Sequence, residues 1–327
     1  MKWYTRDSSF AARIVMNKTP ASTILSPEEI KRTTDAFFAE SEKSVERSLD
    51  SFIALQSMVR GQRSKSDWET IARLVLQPHA LSQLARRSAL SNRAFSKPRG
   101  YAGDAVMIDL IYDQTLTDPS NARLSELENW QYQTLACRAV RTRRMVTAAA
   151  IDGLTANTPR IMSFACGHLR EAELSRRVAE HDFSEFIAAD QDPESLSYVE
   201  RVFGKYGVST RCATVGQAIR EPATFGTFDL IYATGLYDYL SQDTASSLTG
   251  AFCSMLRPGG KVIVVNFAPT LSDAGWMEGV MDWWLIYRSP EEMHQLVSHQ
   301  DPDLFDVETM VDGPGALVYL TVTKNRE

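Results

Sequence analysis

Apolar residues in the first part of the chain recur every three or four positions, the spacing of a single helix face. In SPEEIKRTTDAFFAESEKSVERSLDSFIALQSMVR, Val45, Leu49 and Phe52 fall on one stripe. Ser26 and Glu29 form a capping box ahead of it, with Pro27 at the first helical position. A second box, Ser66 with Glu69, is predicted to open DWETIARLVLQPHALSQLARRSAL, a helix that Pro78 kinks or ends. The period stops at KPRGYAGD, where Pro98, Gly100 and Gly103 resist a helix interior. Asp104 then stands as the N-cap of AVMIDLIYD, and a further helical stretch with Leu124, Leu127 and Leu135 runs toward residue 150.

From residue 160 the period shortens. RIMSFA, FSEFIAAD, TRCATV, FDLIYAT and KVIVVNF read as short buried strands. Between them REAELSRRVAEH, PESLSYVERVFGKYG and TASSLTGAFCSMLRPGG read as helices. Strand and helix in alternation predict a parallel sheet covered on both faces. The end differs: FDVETMV, a Gly-Pro-Gly turn and ALVYLTVTK predict two strands antiparallel to each other. The expected fold is α/β, with an all-helical N-terminal region at 1–120 and the sheet domain at 121–327. No internal repeat or low-complexity linker interrupts the chain.

Composition narrows the function. A net charge of −6 over 327 residues argues against a nucleic-acid or anionic-membrane partner. The basic clusters Arg86-Arg87 and Arg141, Arg143, Arg144 read as solvated helix faces. No apolar run is long enough to span a bilayer, and MKWYTRDSSFAARIV lacks a secretory pattern, so a cytoplasmic protein is expected. Four scattered cysteines without a CxxC pair predict neither a zinc site nor a disulfide framework, and no metal is expected. The expected partner is a small-molecule substrate, with a homodimer allowed.

Candidate chemistry centres on SFACGHLRE, the turn after the first strand. In a doubly wound sheet, ligands bind beyond the carboxyl ends of the strands. A pyrophosphate needs several glycines and a helix N-terminus; this turn has Gly167 alone, which suits a nucleoside better. The turn resembles the first motif of class I S-adenosylmethionine-dependent methyltransferases, with Ser163, Ala165, Gly167 and Leu169 at the motif positions. It lacks that motif's acidic residue and two of its glycines. AADQDPESL, TVGQAI, FDLIYATGLYDYL and MLRPGGKVIVVNF resemble the next four motifs, in order. A seven-stranded Rossmann-like methyltransferase sheet with S-adenosyl-L-methionine as cofactor is what the resemblance implies. It also implies that Asp190, with Gln191, meets the ribose, that Gly216 and Gln217 meet the adenine, and that Ala165, Gly167 and Thr234 line the cofactor. Arg170 and Glu171 form either a surface pair or a contact to the cofactor's amino-acid end. GYAGD, CGHLRE, GLYDYL and DWWLIYRS are similar to a bacterial subgroup labelled 3-hydroxypalmitic acid methyl ester biosynthesis proteins, and to bacterial methionine S-methyltransferases. In that likeness GYAGD is a lid over the site, with Tyr101 on the cofactor and Asp104 on the substrate.

The acceptor side is read from Tyr237, Asp238 and Tyr239 just past the fourth strand, the expected catalytic group. Two ring faces and a carboxylate suit a cationic reaction centre. In DWWLIYRS, read as a substrate-covering helix, Trp283, Tyr287 and Arg288 are the expected substrate contacts, Arg288 as a carboxylate clamp. With no histidine–acid pair in view, an acceptor needing no deprotonation is expected, first a methionine-like thioether, then a fatty or hydroxy-acid carboxylate. Cys166 reads as a buried thiol and His168 as a minor candidate base. Two rival classes remain: a non-catalytic S-adenosylmethionine-binding module, and a nicotinamide-dependent dehydrogenase on the same sheet.

Overall fold

The computed structural model describes residues 24–326, so the stretch read above for a targeting signal lies outside the described residues. The chain divides into two compact units, one of residues 24–138 with 272–284, the other of 139–271 with 285–326. Residue 120, the expected boundary, falls within the first unit. Helix Ala122–Tyr132 joins the helical unit because Leu124, Leu127 and Trp130 are buried there. The Trp130 indole donates to Asp50 at 2.7 Å and meets the Trp276 ring edge-on at 5.0 Å. Residues 272–284 return to this unit through helix Ala274–Met281, every residue of which is buried. Glu278 on that helix accepts from Arg60 Nε at 2.7 Å and from the Trp68 indole at 2.6 Å.

Local signals set most helix ends in this unit. Ser26, Pro27 and Glu29 open helix Pro27–Glu40 with the full capping box, and Asp104 caps helix Ala105–Asp113. The second box is displaced. Ser64, not Ser66, accepts the Asp67 amide and caps Lys65–Ile71, placing Ser66 inside the first turn. That helix continues as a π-helical turn, Ala72–Leu76, and stops before Pro78.

The second unit is a seven-stranded sheet: β1 (Arg160–Phe164), β2 (Glu185–Asp190), β3 (Val208–Cys212), β4 (Phe228–Ala233), β5 (Leu256–Phe267), β6 (Phe305–Val311) and β7 (Leu317–Lys324). Its order is β3-β2-β1-β4-β5-β7-β6. The first five strands run parallel, while β7 is antiparallel to both neighbours. This is the expected seven-stranded Rossmann-like sheet, with its last strand β7 reversed between β5 and β6. Alternate residues feed two cores. Met162, Phe164, Ile231 and Val264 pack on one face, and Ile161, Phe186, Leu230 and Tyr232 on the other. Burial on both faces explains the near-continuous apolar runs.

Three elements depart from the expected pattern. β3 ends at Cys212, because Thr214 leaves the ladder to cap helix Val215–Arg220. REAELSRRVAEH is not one helix. It forms a 3₁₀ turn, Arg170–Leu174, and a short helix, Arg176–Ala179, separated at Ser175, whose backbone is extended. Asp152 fixes the break by accepting the Ser175 hydroxyl and the Arg176 and Arg177 amides. β5 begins at Leu256, so Pro258, Gly259 and Gly260 lie within its span. A Cβ on Gly260 would sit 2.7 Å from the Phe228 carbonyl oxygen and 2.9 Å from that of Arg257. Backbone atoms cannot yield as side chains do, so Gly260→Ala is expected to destabilise by about 1–3 kcal/mol, read as a lower thermal midpoint. Among the described residues, no helix is long and apolar enough to cross a membrane.

Candidate active site

The strand order reverses between β1 and β4, which makes their carboxyl ends the expected ligand crevice. The turn after β1 is built from left-handed backbone: Ala165, Gly167 and Leu169 have φ of 53°, 52° and 50°. For Gly167 this conformation carries no Cβ penalty, whereas Ala165 and Leu169 adopt it against their preference. The strain is held by hydrogen bonds. Cys166 N–H donates to the Ala189 carbonyl at 3.1 Å, and Leu169 N–H to that of Cys166 at 2.9 Å. Gly167 N–H donates to Asp190 Oδ2 at 2.8 Å.

Asp190 ends β2, and its other oxygen accepts the Asp192 amide at 2.9 Å. Burial pushes its pKa up, opposed by hydrogen bonds from the Asp192 and Gly167 amides. A carboxylate fixed this way at a strand end faces little reorganisation on receiving further donors. Gln191 follows it, exposed, and Asp192 is the N-cap of helix Pro193–Phe203.

Two other side chains near the turn are packed into the structure. Burial raises the Cys166 thiol well above its usual pKa, so it is no thiolate nucleophile. The His168 ring stacks on Tyr198 at 4.1 Å and 13°, an arrangement that packs the imidazole. Of the two readings of Arg170 and Glu171, the mutual surface pair is not formed. Arg170 pairs with Glu173 at 2.7 Å, while Glu171 is buried and accepts the Tyr232 hydroxyl at 2.8 Å. Gln217 closes a capping box on Thr214, so its carbonyl oxygen is turned to that cap instead of outward. Gly216 lies in the first turn of the same helix, beside the Arg220 side chain.

Past β4, half-buried Thr234 leads through Gly235 to the 3₁₀ turn Tyr237–Tyr239. Tyr237, read as part of the catalytic group, is fully buried, its hydroxyl 2.9 Å from Thr249 Oγ1. Tyr239 is exposed at 37%. Asp238 lies between, 3% exposed, with Oδ1 accepting the Phe267 amide from the end of β5 at 2.7 Å. Its Oδ2 has no hydrogen bond among the described residues. Burial raises its pKa from the usual 3.8 to about 6, against the opposing pull of the Phe267 amide, Arg143 and Arg288.

Arg288, read as a substrate clamp, is engaged within the chain. It is 1% exposed, and its guanidinium donates to Gln242 Oε1, the Tyr237 carbonyl, Asn266 Oδ1 and the Leu240 carbonyl at 2.6–2.9 Å. It locks the turn that carries Asp238. DWWLIYRS is also not helical: helix Ala274–Met281 ends at Asp282, where φ is 50°, and the chain runs irregularly to Ser289. Tyr287 is half-buried in that run.

Tyr101, Asp104 and Trp283 belong to the helical unit. Tyr101 is half-buried in its loop, and Trp283 is buried with its amide on the Met277 carbonyl. Asp104 is corrected from a substrate contact to a structural pair, since Arg93 donates to both its oxygens at 2.7–3.0 Å and the Met107 amide to one. The basic cluster is corrected as well. Arg144 donates to the Arg170 carbonyl and pairs with Glu173, and Arg143 is 5% exposed. In the first cluster, Arg86 donates to the Val280 and Gln77 carbonyls, while Arg87 is exposed.

A possible exported protein of Bordetella parapertussis has a similar solved structure, at 14% identity and a TM-score of 0.55, covering 89% of this chain and 97% of that one. The fold is shared. Two further solved structures are similar at lower scores. The plantazolicin methyltransferase BpumL in complex with S-adenosylhomocysteine is 12% identical, with 75% of this chain and 96% of that one covered and a TM-score of 0.48. The N-methyltransferase NodS of Bradyrhizobium japonicum, also with S-adenosylhomocysteine, is 11% identical, with 65% and 98% covered and a TM-score of 0.42. No protein-family model matches the sequence, and no curated protein matches it.

Proposed function

We propose that the chain transfers a methyl group from S-adenosylmethionine to a small-molecule acceptor. The observation that carries this reading is the pairing of the left-handed Ala165–Leu169 turn with Asp190, whose carboxylate holds that turn and ends β2. Such a carboxylate suits the ribose hydroxyls of a nucleoside cofactor. The nicotinamide alternative fits poorly, because a pyrophosphate wants an α-helix N-terminus after the first strand and this turn enters a five-residue 3₁₀ segment. Ala165, Gly167 and Asp190 are the residues that would hold the cofactor. When bound, it supplies an electrophilic methyl on a cationic sulfur. The chain aligns the acceptor behind that methyl, and alignment is the main source of acceleration in such a displacement.

Asp238 supports catalysis over mere binding. A carboxyl near pKa 6 with one oxygen open is matched to taking a proton close to neutral pH. That favours a hydroxyl or amine acceptor over the thioether first expected. The methionine reading also loses its carboxylate clamp, because Arg288 is already hydrogen-bonded on four sides.

Asp190→Ala is expected to weaken S-adenosylhomocysteine binding by at least about tenfold, since it removes charge-assisted acceptors and leaves two amides without partners. Calorimetric titration checks it, and unchanged affinity would remove the ribose assignment. For the activity itself, the chain is incubated with methyl-labelled S-adenosylmethionine and a panel of small hydroxyl, amine, thioether and carboxylate acceptors. Label passing to an acceptor, with equimolar S-adenosylhomocysteine, is expected. Binding without turnover on every acceptor would instead favour a non-catalytic module.

A further inference from the structure

Arg143 lies on helix Leu135–Asp152 and is 5% exposed, yet its guanidinium makes no hydrogen bond or ion pair among the described residues. Its Nε is buried without a partner. Buried arginines are ordinarily paired, because an uncompensated charge away from water is strongly unfavourable. The surroundings locate it at the site. A Cβ built on Gly235, in the turn after β4, would lie 3.7 Å from Arg143 Nη2. Glu171 and Asp238 both feel its charge, but neither bonds it: Glu171 accepts from Tyr232 and Asp238 from Phe267. A second buried polar group lacks a partner. The Tyr319 hydroxyl is buried without a partner and also feels Arg143. The register places Tyr319 opposite Val265, near the carboxyl end of β5.

We infer that Arg143 is a recognition site for a carboxylate carried by a ligand of this crevice. The ligand's identity rests on the proposed methyl transfer; the arginine's role does not. A guanidinium offers a planar fork that matches a carboxylate in two parallel hydrogen bonds. Glu171 and Asp238 stand within electrostatic reach for a cationic group on the same ligand. The carboxylate belongs either to the amino-acid end of the cofactor or to the acceptor, and the chemistry required of Arg143 is the same.

The full chain and its Arg143→Met variant are titrated with S-adenosylhomocysteine and with 5′-methylthioadenosine, which keeps the nucleoside but has no carboxylate. The thermal midpoint of each ligand-free protein is measured alongside. Methionine fills the space without a buried charge, so the variant is expected to melt about 2–4 °C higher. An affinity loss of at least about tenfold for S-adenosylhomocysteine, with 5′-methylthioadenosine unchanged, assigns the cofactor's carboxylate to Arg143. With cofactor affinity unchanged and the midpoint raised, a KM at least about tenfold higher for an acceptor that takes the label, with kcat retained, assigns the acceptor's carboxylate, and an unchanged KM overturns the inference. Unchanged affinity together with a lowered midpoint overturns the inference, because the arginine is then structural. If wild type binds neither compound, the proposed activity fails, and the direction of the melting shift alone decides Arg143.

Discussion

Asp238→Asn is expected to lower turnover by about 10²–10⁴-fold while S-adenosylhomocysteine binds as in wild type. Asparagine keeps an oxygen for the Phe267 amide, so the turn after β4 stays anchored. What it loses is the ability to take a proton. The same substitution has a signature in stability. Between about pH 4 and about 6 the folded chain holds a proton on Asp238 that the unfolded chain has released. Stability therefore falls as pH rises through that window and is flat in this group above it. Asp238→Asn removes this slope and should stabilise the protein at pH 8 by on the order of 2–3 kcal/mol. Loss of activity with a gain in stability is the pattern of a buried catalytic charge. Turnover at the wild-type rate would end the assignment.

Arg288→Ala is expected to destabilise the protein by about 3–5 kcal/mol, a drop in thermal midpoint on the order of 10 °C. The substitution leaves the Tyr237 and Leu240 carbonyls, Gln242 Oε1 and Asn266 Oδ1 without their common donor. It also withdraws a positive charge that holds the Asp238 pKa down, so the acidic limb of the turnover profile should move to higher pH. Arg288→Lys keeps the charge but not the fork, and should fall between wild type and alanine in both readouts. A clamp on substrate would behave otherwise: normal melting, an unmoved pH profile and a raised KM. That result would restore the substrate role.

The sheet was legible because its strands are buried on both faces, and apolar runs such as FDLIYA and KVIVVNF are read without knowing their neighbours. The Ser26 box and the Asp104 cap were equally plain, since each is settled by atoms within three residues. The Ser66 box was not, because Ser64 competes for the same turn and wins by accepting the Asp67 amide. The segment after β1 misled for a related reason. Its composition favours a helix, but left-handed Leu169 and the Asp152 contacts to Ser175 come from beyond the local period. The domain boundary depended on Trp130 meeting Trp276, a contact across the sequence that no local pattern carries.

Charge caused the misreadings at the site. Arg143 was taken as solvated because it stands among arginines, yet Val140, Arg143, Thr147 and Ile151 recur at helical spacing and all four are buried. The period held the signal, and residue type hid it. Arg288 was read as a clamp because its segment was taken for a substrate-covering helix, whereas its partners are carbonyl and amide oxygens of Tyr237, Leu240, Asn266 and Gln242. Asp190 was singled out by the resemblance of AADQDPESL to a second-strand motif, and the structure places it at the end of β2, holding the Gly167 amide.

The most direct measurement is a calorimetric titration of the full chain with S-adenosylhomocysteine. A saturable one-to-one binding heat, accompanied by a rise in thermal midpoint, is the predicted result. A folded chain that gives neither heat nor a melting shift at saturating concentration would contradict a nucleoside cofactor at the carboxyl ends of β1 and β2.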